Sequence, residues 1–247
     1  TVDNSGVIAD QTYGTSNTLA PDAGALLDVA GRVDDTVAFT SYTDTDSFYT
    51  NGTLLLLSGE RAVNMPATGT VFYRLLDGTA PMDQLGTAGS EGYFTNARVG
   101  VSFGSEILVG MNFDVFDGTR GWHAQTAGGS DAPGNGGLMV DAANGGFTGS
   151  LQTTGIAGDA CASNCSTNVY GALFGNGASH VGFSYLVNDA QTDQSLVQGI
   201  AVFGASGNAV AGIGTDPRTS GGGGSSSGGG STTSSFTGTR DGIVYYT

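Results

Sequence analysis

The feature that most constrains the fold is an alternation of apolar and polar residues between Val169 and Phe203. In its middle part the apolar residues share one face, which comprises Val181, Phe183, Tyr185 and Val187. The intervening positions, His180, Gly182 and Ser184, fall on the opposite face. A period of two is typical of a half-buried β-strand. The segment therefore predicts three consecutive strands joined by turns.

The same alternation recurs upstream, and its longest run extends from Glu106 to Phe116. Between Ala67 and Phe203 the pattern predicts about eight strands, at spacings that suit a sandwich or an up-and-down barrel. Closure into a barrel removes exposed sheet edges, which suits strands with so few charged residues. We therefore predict an all-β fold, an antiparallel eight-stranded β-barrel with extra N-terminal strands and a C-terminal strand tethered by Gly and Ser.

Changes in composition divide the chain into four segments. The run from Ser220 to Ser235 is almost purely Gly, Ser and Thr, which is typical of a flexible coil. The predicted segments are N-terminal strands or an arm packing on the barrel (1–65), the barrel (66–204), a Gly/Ser-rich linker (205–235) and a C-terminal strand (236–247).

The charged residues exclude several classes of partner. They make up 12% of the chain, all seven basic residues are Arg, and the net charge is −15. Nucleic acids and anionic membranes would be repelled, and no apolar run is long enough for a membrane-spanning helix. The charge leaves divalent cations, basic proteins or no specific partner, and it also provides solubility. The predicted partner is a second copy of the chain or a protein ligand.

The two cysteines, Cys161 and Cys165, are separated by three residues. A metal site or a redox pair would use other spacings or further Cys and His ligands nearby. We therefore predict a structural disulfide, and with it an oxidising, extracytoplasmic location. The chain begins at Thr1 without a recognisable signal peptide, which we expect to have been removed if one existed.

Few residues suggest chemistry. The two histidines, His123 and His180, are candidate haem or metal ligands, although lone histidines are more often structural. Neither lies in a nucleophile elbow or a metal motif, so we expect no enzymatic activity. Calcium has two candidate sites, which are Asp44 and Asp46 with Asn51, and Asp114 with Asp117. Neither spacing matches an EF-hand, so the prediction is no resident cofactor, with calcium and haem as alternatives.

The C-terminal residues Ile243, Val244, Tyr245 and Tyr246 form a candidate assembly strand. A strand on a long tether can pair with its own sheet or with that of a neighbouring molecule. Donation to a neighbour gives a head-to-tail contact that does not close and therefore produces a fibre.

Several glycine and aromatic placements are shared with a known family. They are Pro66–Pro81, Trp122 at a strand end, Gly146–Gly149, Val169–Gly175 and Gly199–Phe203. These segments resemble transferrin-binding-protein-like modules, which also occur as C-terminal parts of bacterial FecR-type surface proteins. The resemblance implies an eight-stranded barrel at the extracellular or outer surface of a Gram-negative bacterium, where relatives are lipoproteins that bind host iron proteins or haem. The first residue is Thr1 and not a lipid-anchor Cys, and no binding residue of the family can be carried over.

These observations predict a non-enzymatic secreted surface protein with a structural or interaction role. The hypothesis is self-assembly into an extracellular filament through exchange of terminal strands. The alternative is a ligand-binding barrel for haem, an iron-carrying host protein or another solute.

Overall fold

A computed structural model describes most of the chain, and its regular elements are all β-strands. The described residues are 12–13, 17–18, 26–34, 36–43, 53–83, 92–161, 164–189 and 196–214. The strands are β1 (Thr12–Tyr13), β2 (Asn17–Thr18), β3 (Leu26–Val33), β4 (Val37–Thr43), β5 (Thr53–Gly59), β6 (Gly69–Gly78), β7 (Met82–Asp83), β8 (Tyr93–Phe103), β9 (Leu108–Phe116), β10 (Gly121–Gln125), β11 (Leu138–Met139), β12 (Gly146–Ala157), β13 (Cys165–Phe174), β14 (His180–Asp189), β15 (Leu196–Gly204) and β16 (Gly212–Gly214). Within these ranges no helix is long and apolar enough to cross a membrane.

Eight of the strands close into an antiparallel barrel, which confirms the predicted fold class. Their order around the wall is β9, β10, β12, β13, β14, β15, β6 and β8, and β8 pairs again with β9. The ladder from β12 to β15 is continuous and in register, and Gly171 lies opposite Phe183 in it. Closure means that these strands satisfy their backbone groups without an open edge.

The interior of the barrel is filled by the side chains that the period-two pattern places on one face. Val181, Phe183, Tyr185 and Val187 are all fully buried, as predicted. They pack with inward side chains of the other strands, among them Phe94, Phe113, Trp122 and Phe203. Burial of this apolar surface, at about 25 cal/mol per Å², drives closure of the barrel.

Strand β16 extends the barrel wall at one end. It pairs with β8, and Thr95 Oγ1 donates to Ala211 O (2.9 Å) beside it. The Val210 N–H donates to Leu75 O of β6 (3.0 Å), so the segment lies between the two strands where they separate. Ile213 packs against the interior core. This strand lies within the segment 205–235, for which the sequence predicts a Gly/Ser-rich linker.

Strands β3, β4 and β5 form a separate three-stranded sheet, the outer sheet, which packs on the outside of the barrel. Its Phe39 and Leu57 contact outward side chains of β13 and β15, including Phe174 and Val202. Strand β14 is therefore buried on both faces. Its inward side chains fill the barrel, and Gly182 and Ser184 on its outward face lie under the outer sheet. The connection after β5 is also fastened to the barrel, since Ala62 N–H donates to Leu173 O (3.2 Å).

Gly182 marks a close approach of the two layers. A Cβ atom at this position would lie 2.9 Å from Leu57 Cδ2 and 3.2 Å from Phe174 Cε2. We expect Gly182→Val to lower the free energy of unfolding by about 1–3 kcal/mol, because overpacking forces neighbouring side chains apart. Urea unfolding measures this change.

The matched control is Gly134→Ala, because no atom lies within 4 Å of a Cβ at Gly134. It should change the free energy of unfolding by less than about 0.5 kcal/mol. Equal stability of the Gly182→Val variant and the wild type would contradict the close packing of the outer sheet.

Candidate functional site on the outer wall of the barrel

Aromatic side chains pack against one another in the part of the barrel interior that the described residues line. The ring centroids of Phe94 and Tyr185 are 5.1 Å apart, and those of Phe183 and Phe203 are 5.3 Å apart. Phe113 links the two stacks, with its centroid 5.6 Å from that of Phe183. These are contact distances between packed rings. Candidate chemistry must therefore lie on the outside of the wall or at its ends.

A polar group on the outside of β8, β9 and β10, the histidine cluster, consists of His123, Asp114 and Asn96. The His123 Nδ1–H donates to Asp114 Oδ1 (2.6 Å), and Asn96 Nδ2 donates to Asp114 Oδ2 (2.6 Å). A carboxylate oxygen accepts in this contact, so Nδ1 carries a proton. The second nitrogen, Nε2, has no hydrogen-bond partner among the described residues, and the side chain is 30% exposed.

A β-bulge places Asn96 in this cluster. The register between β8 and β9 shifts between Thr95 and Arg98, and Asn96 has φ of 50°. Asn tolerates this left-handed conformation better than most residues. Asn112 Nδ2 also donates to the Asn96 carbonyl (3.1 Å), which fixes the bulge. The sequence marks His123 and Asp114 as candidates, whereas Asn96 becomes visible only through the bulge.

Next to the cluster, Arg74 of β6 and Arg98 of β8 face outward directly opposite each other; we call them the arginine pair. Phe72 lies two residues before Arg74 on the same outward face of β6, opposite Gly100, and it is 55% exposed. Asn112 of β9 is the next residue across the ladder from Arg98. The arginine pair and the histidine cluster therefore occupy neighbouring rows of one polar wall.

A glycine pair on the same wall holds the loop between β10 and β11. Gly100 and Gly110 are cross-strand partners, and we call them the glycine shelf. A Cβ at Gly100 would collide with Ser130 O, and a Cβ at Gly110 would collide with Gly129 O. Thr126 anchors the loop, since its Oγ1 accepts from Met111 N–H (3.1 Å). The absence of side chains thus lets the loop lie directly on the strands.

His180 has a different environment, at the junction between the barrel and the outer sheet. Its Nε2–H donates to Asp34 Oδ2 (3.3 Å) in the turn after β3, and Ser179 Oγ donates to Nδ1 (2.9 Å). Both ring nitrogens are therefore engaged. Burial lowers the pKa of His180, and the nearby Asp34 carboxylate raises it by a smaller amount. This arrangement suits a structural histidine better than a haem or metal ligand.

The second candidate calcium pair is not assembled into an ion site. Both oxygens of Asp114 accept hydrogen bonds within the histidine cluster. Asp117 Oδ2 accepts from Arg120 Nη2 (2.6 Å) and Nε (2.9 Å). Burial raises the pKa of Asp117, but hydrogen bonds from the Arg120 and Thr119 backbone and the Arg120 guanidinium outweigh it and hold the pKa below its usual value. An arginine occupies the place that a cation would take.

The disulfide between Cys161 and Cys165 is present, which confirms the prediction. A residue that sequence reasoning missed supports it, because the buried Asp189 accepts from Cys161 N–H (2.8 Å) and from Trp122 Nε1–H (3.2 Å). The three side chains of Cys161, Cys165 and Asp189 come within metal-ligand distance of one another. Oxidised sulfur offers no thiolate to a metal, and both cysteines pack against the interior core instead.

The remaining candidate residues lie outside the described part of the chain. They are the first calcium set, Asp44, Asp46 and Asn51, and the assembly strand, Ile243, Val244, Tyr245 and Tyr246.

Comparison with known proteins adds little to this geometry. No protein-family model matches the chain, and no curated protein does. One similar solved structure is described as intact Ap-TbpB with its N and C lobes, at 15% identity and a TM-score of 0.34. The match covers 82% of this chain and 42% of that chain, so this chain spans about two fifths of its length. A likeness of this size supports no conclusion about function.

The environment of His180 makes stability depend on pH. Its pKa is lowered in the folded state, so the folded state favours the neutral imidazole. The stabilisation is complete above the unfolded pKa of about 6.5 and is lost as the pH falls below that value. We expect the urea midpoint of the wild type to fall more between pH 7.5 and pH 5.5 than that of His180→Gln. The same slope in His180→Gln and in the wild type would contradict the assignment.

Proposed function

We propose that this protein is a non-enzymatic, extracytoplasmic interaction module that contacts its partners through the outside of its barrel. The observation that carries the proposal is the packed aromatic interior, in which Phe94, Phe113 and Tyr185 occupy the space that a ligand would need. Functional groups are instead concentrated on the outer wall of β6, β8, β9 and β10.

The outer wall carries an oriented histidine, but the described residues place no nucleophile beside it. The His123–Asp114 pair resembles two parts of a catalytic triad, in which a carboxylate orients an imidazole. In the described part of the chain no serine, threonine or cysteine side chain is hydrogen-bonded to His123 Nε2. The Asp114 carboxylate therefore orients His123, but no described nucleophile lies in hydrogen-bond contact with the imidazole.

The disulfide supports an extracytoplasmic location. Disulfides persist in oxidising compartments and are rare in the cytosol. Asp189 accepts a hydrogen bond from the Cys161 N–H of the Cys161–Cys165 bridge. A secreted or surface-exposed protein would keep this bridge.

Self-assembly through terminal strands is the form of interaction that we propose. The outer sheet has the order β3, β4, β5, and no other described strand pairs with the outer edge of β3 or of β5. A strand edge of this kind accepts an added strand through backbone hydrogen bonds. The segment Ile243–Tyr246 shows little alternation of apolar and polar residues, but all four of its residues favour β-strands. We propose it as the strand that is donated to a neighbouring molecule.

Truncation tests the proposed filament. We expect the wild-type chain to form polymers in electron micrographs and the chain lacking residues 236–247 to remain monomeric. A subtler variant is Val244→Pro, which removes a backbone N–H from the donor strand and should also prevent polymers.

The control for the proline is Thr232→Pro, which lies in the predicted Gly/Ser-rich linker before the C-terminal strand and should leave polymers intact. Polymers that survive deletion of residues 236–247, or a wild-type chain that stays monomeric at all concentrations, would exclude strand donation.

The alternative is binding of haem, an iron-carrying protein or another solute on the outer wall. For haem this alternative depends on His123, because both nitrogens of His180 have partners within the protein. His123 has the arrangement typical of ligating histidines, with one ring N–H donated to a carboxylate and the other nitrogen free to bind.

A haem titration separates the two candidates. If haem binds, we expect a shift of its Soret band that His123→Ala abolishes and that His180→Gln leaves in place. Absence of a shift with the wild-type chain would remove haem from the alternatives. A shift that survives in His123→Ala would place the ligand on another residue.

A further inference from the structure

Two like charges face each other across the outer wall, which is unfavourable for folding. Arg74 and Arg98 are direct cross-strand partners of β6 and β8, and both are exposed. Like charges directly opposite one another destabilise an antiparallel strand pair. The chain has 22 acidic residues and 7 basic ones, so random placement would favour an acidic neighbour for each arginine.

Neither arginine is neutralised within the part of the protein that the structure describes. Other arginines behave differently, since Arg120 pairs with Asp117 and Arg61 donates to Ala142 O (3.4 Å). Arg74 and Arg98 make no hydrogen bond or ion pair to any described residue. Their ten N–H donors, five from each guanidinium, therefore have no acceptor among these residues.

Exposed apolar surface lies directly beside the arginine pair. The Phe72 ring lies against the backbone of Gly100, where a Cβ would be 3.3 Å from Phe72 Cδ1. The loop that rests on the glycine shelf reaches the same point through Ser130 O. Arginine and aromatic side chains contribute most of the binding energy in many protein interfaces. Here both types lie beside the loop that rests on the glycine shelf.

We propose that the arginine pair and Phe72 form a docking site for an acidic segment of a protein partner. The partner's carboxylates would bind the guanidinium groups, and an apolar side chain would pack on Phe72 against the loop. An extended segment with acidic residues at every second position presents its carboxylates about 7 Å apart on one face. The two arginines, with Cβ atoms about 5 Å apart and long flexible side chains, can reach both.

Charge complementarity favours a short acidic segment over a long polyanion. The net charge of −15 repels nucleic acids and sulfated polysaccharides, which extend far beyond the two guanidinium groups. A short peptide can contact the arginine pair while most acidic residues of the chain lie out of its reach, and charges more than about 8 Å away are largely screened at physiological salt. Binding should weaken as salt increases.

The test uses the full chain and a fluorescent peptide of alternating Asp and Tyr residues, followed by anisotropy. We expect Arg74→Ala and Arg98→Ala each to weaken binding about tenfold, the loss of one charged hydrogen-bonding group. Phe72→Ala should weaken it as well. The same peptide with Asn in place of Asp should not bind.

Matched controls separate a site from general charge attraction. Arg61→Ala removes the same charge from another exposed position, and Ile156→Ala removes a different exposed apolar side chain that is 47% exposed. Both should bind the peptide like the wild type. Equal weakening by Arg61→Ala, or binding of a sulfated polysaccharide without binding of the peptide, would overturn the assignment.

Thermal unfolding of the variants supplies a second readout. Removal of one arginine relieves the repulsion across the ladder, so Arg74→Ala and Arg98→Ala should be at least as stable as the wild type. Lower stability of both would show that the arginines support the fold, and it would overturn the assignment.

This inference rests on the proposed outer-surface function, but the tests are separate, because polymers of the wild-type chain would uphold that function even if the peptide failed to bind.

Discussion

Closure of the hydrogen-bonded ladder around a packed aromatic interior is the constraint on which the rest of this structure depends. Phe94, Phe113, Phe183 and Tyr185 fill the barrel with rings in contact. Because the inside is occupied, the barrel works as a rigid support and not as a container. The candidate binding groups, which are the histidine cluster and the arginine pair, consequently lie on the outer surface. There the strand register sets the distances between side chains.

Glycine determines which parts of that outer surface carry a second layer. Gly182 admits Leu57 of the outer sheet, and the glycine shelf admits the loop after β10. In both places a Cβ atom would meet side-chain or backbone atoms of the covering layer. The regions without such glycines stay open, and one of them carries the arginine pair and the histidine cluster. The 44 glycines of the chain therefore contribute to packing as well as to turns.

Histidines of similar appearance in the sequence have different roles in the structure. His180 lies under the outer sheet with both nitrogens engaged, whereas His123 is oriented by Asp114 and keeps one nitrogen free. Periodicity assigns both to the outward face of a strand. It does not show that a second sheet covers one of these faces, because the covering residues lie more than a hundred positions away in the chain. The same reason explains why β14, which its alternation predicts to be half-buried, is buried on both faces.

The sequence by itself determined the all-β class, the inward face of the strands and the disulfide, because each depends on period-two alternation or on a short spacing. The small number of charged residues in the strands favoured a closed barrel over an open sandwich. Only the tertiary structure decided that the interior is full, that Asp189 joins Trp122 to the disulfide loop, and that Arg74 lies opposite Arg98. These features depend on register and on contacts between distant segments. A shift of one residue in pairing would turn every side chain of a strand to the other face, and local pattern alone does not specify which partner residue lies opposite.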